Sequence, residues 1–151
     1  MAAFDRVQSG CPSIDAMLDN IRLGDNVVWQ VGNIDDYRFF AEIFARRAVL
    51  DGRRMVYIRF AKHDPVIPIL EGVEVYEFDP DEGFEAFTVA IHKKIEAEGK
   101  EACYVFDCLS ELQSAWYTDL MMGNFFRVTC PYLFELDTVA YFPLIRGQHS
   151  F

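Results

Sequence analysis

The chain has no long apolar run, no basic tract and no paired-cysteine motif, and each absence excludes a class of function. No apolar stretch reaches the roughly 18 residues of a membrane span, so no transmembrane helix and no membrane partner are expected. The opening MAAFDRVQSG lacks a basic region followed by an apolar segment, so no secretory signal is expected and a cytoplasmic location is. Lys and Arg number 14 against 24 Asp and Glu, a formal net charge of −10. That balance opposes a phosphate backbone, and no nucleic-acid partner is expected. Cys11, Cys103, Cys108 and Cys130 form no C-x-x-C, and no His pair has finger-like spacing. The cysteines read as free thiols, two of them in the core, and no metal site is expected. The G-x-S-x-G nucleophile pattern is missing. Asp79, Asp81 and Glu82 lack the register and glycine of a calcium loop.

What is present is apolar and regularly patterned. Of 151 residues 52% are hydrophobic, enough for one folded domain spanning 1–151 with a real core. Pro12 suits a first helical turn, and Ile14, Met17, Leu18 and Ile21 follow at helical spacing. Strands are expected at Asn26–Val31, Arg54–Ala61, Val73–Phe78, Glu101–Leu109 and Thr138–Ile145. Within the second, Met55, Tyr57 and Arg59 alternate against Val56, Ile58 and Phe60. A helical stripe runs from Tyr37 to Val49, and another joins Phe84, Phe87, Thr88, Ile91 and Ile95. Residues 111–129 read as helix, with Pro131 interrupting a further helical stretch at 132–136. Strands alternating with helices predict an α/β fold, a mainly parallel sheet covered by helices on both faces.

The segment DNVVWQVGNIDDYRFF has the strand–loop–helix context of a phosphate loop without its chemistry. The working pattern G-x-x-x-x-G-K-[ST] uses glycine for close backbone approach, lysine for counter-charge and a hydroxyl for Mg²⁺. The frame from Gly32 runs through Asn33, Ile34, Asp35 and Asp36 to Tyr37, Arg38 and Phe39. Tyr37 stands for the second glycine, Arg38 for lysine and Phe39 for the hydroxyl, while Asp35 and Asp36 add negative charge where a polyanion would sit.

Together with Ser9-Gly10-Cys11-Pro12-Ser13-Ile14-Asp15, Leu18, Gly24 and the strand ending at Gly32, this frame resembles the opening of KaiC/RadA-type RecA-like ATPase domains. Tyr104-Val105-Phe106-Asp107 followed by Ser110 is similar to their Walker B strand. The resemblance covers roughly residues 4–147 and implies a RecA-like, P-loop NTPase-like sheet stopped short at its C-terminal end, since related domains usually continue with further strands. It implies a Walker-B-like role for Asp107 and a degenerate nucleotide loop at Gly32, Asn33, Asp35, Asp36, Tyr37, Arg38 and Phe39. The catalytic glutamate common after the second strand is missing from Arg59-Phe60-Ala61-Lys62-His63-Asp64. ATP hydrolysis is therefore not expected, and no cofactor is. The stretch from Asp107 to His149 more distantly resembles KaiC-like regions associated with phosphoenolpyruvate synthase and pyruvate phosphate dikinase proteins, which implies a docking or sensory piece of a larger polypeptide.

Other candidates gather at expected strand ends. Lys62 and His63 form either an acid–base cluster with Asp64 or an ordinary polar loop, and Arg146 with His149 forms either a ligand site or an exposed tail. His92, beside Ile91 on the amphipathic helix, reads as a boundary residue between its buried and exposed faces, and Trp116, Tyr117, Phe125 and Phe126 as core or recognition surface. Three functions follow: a non-catalytic regulatory or protein-interaction module; a nucleotide-binding enzyme with an altered site at Arg38 and Asp107; or a small-molecule sensor using the strand-end crevice. A homo-oligomer or another protein domain is the expected partner.

Overall fold

The computed structural model describes residues 6–147. Its centre is a five-stranded, all-parallel sheet in the order β3-β7-β6-β4-β5. The strands are β3 (Asn26–Val31), β4 (Met55–Arg59), β5 (Val73–Glu77), β6 (Cys103–Phe106) and β7 (Val139–Ile145). A two-residue antiparallel pair, β1 (Arg6–Val7) with β2 (Ile21–Arg22), lies outside the main sheet. The fold is α/β, in a layout consistent with RecA-like and other doubly wound domains.

The three inner strands are buried on both faces, and alternate residues feed two cores. Met55, Tyr57, Cys103, Val105, Val139 and Tyr141 point to one side, where α2 (Ile34–Leu50) lays down Tyr37, Ala41, Phe44, Ala45 and Ala48. Val56, Ile58, Tyr104, Phe106, Ala140 and Phe142 point to the other. There α3 (Phe84–Glu98), α4 (Ser110–Trp116) and α5 (Asp119–Glu135) supply Phe87, Ile91, Leu112, Met122, Phe125 and Leu133. Each aromatic buried here removes a large apolar area from water, so the two cores carry most of the folding free energy.

Pro143 lies in an inner strand, where a missing N–H normally breaks a ladder. Here β6 has its last pair with β7 at Val105–Tyr141. On that side the Pro143 carbonyl accepts instead from the Leu109 N–H at 3.0 Å. The proline therefore sits just past the end of the β6 ladder.

Three local expectations are corrected. The first helix is short, α1 (Pro12–Leu18), and buries none of its residues; Ile21 is buried from β2 instead. Residues 111–129 are not one helix, because Tyr117 adopts the left-handed conformation and Thr118 caps a new start with a hydroxyl that accepts from Leu120 N–H. Pro131 does not interrupt: α5 runs through it to Glu135. The serine–glycine opening is a self-contained turn. Ser9 N–H donates to Asp15 Oδ1 at 3.0 Å, and Gly10, at φ +86°, lies so close to α2 that an added Cβ would sit 2.5 Å from the Ile43 carbonyl oxygen.

Candidate functional site

A parallel sheet brings all its C-terminal strand ends to one edge, and Gly32, His63, Asp107 and Arg146 gather there by topology alone. What each does at that edge is set by its neighbours.

The phosphate-loop frame is hardly a loop. β3 ends at Val31 and α2 begins at Ile34, leaving Gly32 and Asn33 as the entire connection. Asn33 caps the helix, its Oδ1 accepting from the Asp35 N–H at 2.8 Å. Asp35 and Asp36 occupy the first turn, where carboxylates complement the helix dipole in the place of a bound anion. Tyr37 is fully buried beside Trp29 and Tyr141. Burial, followed by the neighbouring Tyr141, pushes its phenol well above the usual value. Arg38 turns back on its own helix, pairing with Asp35 at 2.7 Å and donating to the Pro65 carbonyl. Phe39 is 61% exposed on the outer face of α2. The frame thus divides into a cap, a core residue, a surface ion pair and a surface ring.

Asp107 is fully buried, and both its oxygens are hydrogen-bonded. Oδ2 accepts from the Arg59 guanidinium at 3.0 Å, from the Phe60 N–H at 2.9 Å and from the Ala61 N–H at 3.0 Å. Oδ1 accepts from the Tyr57 hydroxyl, which in turn accepts from the Val66 N–H at 2.9 Å. Arg59 also donates to the His63 carbonyl. Burial first, then the Asp107 carboxylate, pushes the Tyr57 phenol well up. One carboxylate so pins the end of β4 and the start of the β4–β5 loop. Tyr57 and Arg59 are the members sequence reasoning missed. The signal was their spacing of two on β4, which sets both on one face of the sheet beside β6.

A metal held through this carboxylate would have to displace donors already on both oxygens, inside a fully buried site, and Phe39 supplies no hydroxyl. The residues present do not fit Mg²⁺ bound to nucleotide. Among the described residues, no group of three or more His, Cys, Asp or Glu is placed to hold a metal ion.

His63 faces this edge. Its Nε2 accepts from the Cys108 N–H at 3.2 Å and stands 3.9 Å from Asp107 Oδ1, while Nδ1 lies 2.7 Å from the Asp64 carbonyl. That pattern fits the tautomer with hydrogen on Nδ1. His63 lines a cleft of about 330 Å³ with Gly32, Asn33, Ser110, Glu111 and Ser114. Lys62 lines an adjoining cleft of about 490 Å³ with Asp79, Asp81, Glu111 and Tyr117. Arg146 is exposed, its N–H donating to the Val31 carbonyl at 2.7 Å. His149 lies outside the described residues. His92 is away from this edge, stacked on Tyr132 with Nε2 3.0 Å from Thr129 Oγ1. Cys103 and Cys108 are buried, Cys11 and Cys130 partly so, and all four are free thiols. Burial pushes the Cys103 thiol up to about 12, so it is an inert core residue. No helix among the described residues is long and apolar enough to cross a membrane.

No protein-family model and no curated protein matches the chain.

Proposed function

We propose that this chain is a non-catalytic module of RecA/KaiC-like type, serving regulation or protein interaction. The observation that carries this reading is Asp107. The position that resembles a Walker B carboxylate has its oxygens engaged by Tyr57, Arg59 and two backbone N–H groups. The two-residue connection at Gly32–Asn33 supports it, because so short a turn offers no cradle of N–H groups. Two acids at the helix start oppose a polyanion. Phosphoryl transfer depends almost wholly on positioning and charge stabilisation, and each of those parts is committed elsewhere. The rival enzyme reading needs Arg38 and Asp107 to act together, yet Arg38 pairs with Asp35 and Asp107 with Arg59.

Isothermal titration with Mg-ATP tests the reading. No heat of binding is expected at physiological nucleotide concentration. A micromolar, Mg²⁺-dependent affinity would overturn it.

The clefts beside His63 and Lys62 favour a second reading, a sensor for a small ligand less charged than ATP. Such a ligand raises the unfolding temperature by mass action, so a thermal-shift screen of neutral and cationic metabolites separates a sensor from a module with no ligand.

A further inference from the structure

Helix α5 spends one apolar stripe on the core, with half-buried Phe126 at its margin, edge-on to Phe142. Met122, Phe125 and Leu133 face the sheet. On the outer side Leu120 is 67% exposed, and a groove of about 590 Å³ runs past Gly123, Asn124 and Phe126. We propose that this groove is a self-complementary interface, with α5 packed antiparallel on α5 of a second copy about a two-fold axis at Gly123.

The charges select that occupant. Asp119 and Arg127 both line the groove, and each lies four residues from Gly123. A two-fold axis at Gly123 therefore sets Asp119 against the partner subunit's Arg127, and Arg127 against the partner subunit's Asp119. The same axis sets Leu120, three residues before Gly123, against the partner's Phe126, three residues after it. Glycine inside a helix is about 1 kcal/mol less favourable than alanine, but it lets another backbone approach closely at the crossing point. The net charge of −10 opposes any self-association. Within the groove the two charges cancel, and at physiological salt charges beyond a Debye length of about 8 Å are largely screened. Asp119 to Arg127 spans only about 12 Å of helix at roughly 1.5 Å per residue. The contact is therefore small, and a dissociation constant on the order of 10–100 μM is expected.

This names a partner for the interaction role proposed above and rests on that role. It fails separately, because nucleotide titration does not report on α5. The test is sedimentation velocity across a concentration series, with circular dichroism to confirm folding. Arg127→Glu and Asp119→Lys each place like charges at both ends of the contact, and each should weaken dimerisation by about tenfold or more. Mixed together, the two variants restore both opposite-charge contacts, so a heterodimer should form where neither variant self-associates. Gly123→Leu should keep or raise helix stability while blocking the crossing. A wild-type monomer at several hundred micromolar overturns the proposal. So does a dimer that survives Arg127→Glu and is lost with Val28→Pro, which would assign association to the free edge of β3.

Discussion

Two buried tyrosines show how differently the same side chain can be used. The Tyr57 hydroxyl both donates and accepts within the Asp107 cluster. The Tyr37 hydroxyl is equally buried and has no hydrogen-bond partner among the described residues. Removing a satisfied group strands its partners, whereas removing an unsatisfied one relieves a desolvation penalty. Tyr37→Phe should therefore leave stability unchanged or raise it by up to about 1 kcal/mol in urea unfolding. Asp107→Asn should lower it by about 3 kcal/mol, since Arg59 is then left with a neutral partner in a largely buried site. A loss as small as that of a surface substitution would mean that the cluster is incidental to folding. The aspartate itself was legible in the sequence as the end of an apolar strand. Its partners were not, because Tyr57 and Arg59 lie 50 and 48 residues away and only the strand order brings them alongside.

At the scale of elements, α2 decides what can be done with the strand-end turn. Sequence periodicity placed its apolar stripe from Tyr37 onward, and the structure starts the helix three residues earlier at Ile34. Of those three residues two are acidic and Ile34 alone makes no stripe, so the start is written in Asn33 as a cap rather than in hydrophobic spacing. The strands were legible to within a few residues because each inner one is apolar throughout, save for Arg59 at the end of β4. The α4–α5 break was not, because Tyr117 takes a left-handed conformation that no glycine announces. Restoring the glycine, lysine and threonine of a working phosphate loop at Tyr37, Arg38 and Phe39 should fail for a packing reason. Tyr37→Gly empties a fully buried site and puts glycine inside a helix, at a cost of about 4 kcal/mol or more. The expected outcome is a triple variant with a much lower unfolding midpoint and no ATP turnover. A stable variant that hydrolyses ATP would show that α2 can unwind to make a loop.

For the whole molecule, pH sets the limits of the fold through its buried phenols. Tyr37, Tyr57, Tyr104 and Tyr141 are all held above the ordinary tyrosine value of 10.0, with burial the largest cause in each. Raised values in the folded state mean that the unfolded chain releases protons first. The stability these groups contribute is complete below pH 10 and is lost as pH rises past the unfolded value. In an alkaline titration followed by phenolate absorbance, these four should ionise together with loss of helical circular dichroism. The other three of the seven tyrosines, Tyr76, Tyr117 and Tyr132, lie at or near the surface, outside the two cores. Independent ionisation of all seven before unfolding would contradict the double-core packing. On the acid side His92, whose value is lowered by burial, contributes in the opposite sense, its share being lost as pH falls below 6.5.

The Asp107 cluster also imposes an order in time. Its donors lie between Tyr57 and Ala61, and none of them can find its acceptor until the chain has closed a loop of 46 to 50 residues and laid β6 beside β4. Contacts of such sequence separation form late in folding, after the local helices. The segment from Lys62 to Leu70 hangs on that cluster through Val66 and His63, and on α2 through Pro65, so its cluster side stays unsettled until β6 arrives. The Val66 amide, buried and bonded to Tyr57 in the fold, should exchange with solvent early in refolding and be protected only afterwards, and in Asp107→Asn that period should lengthen.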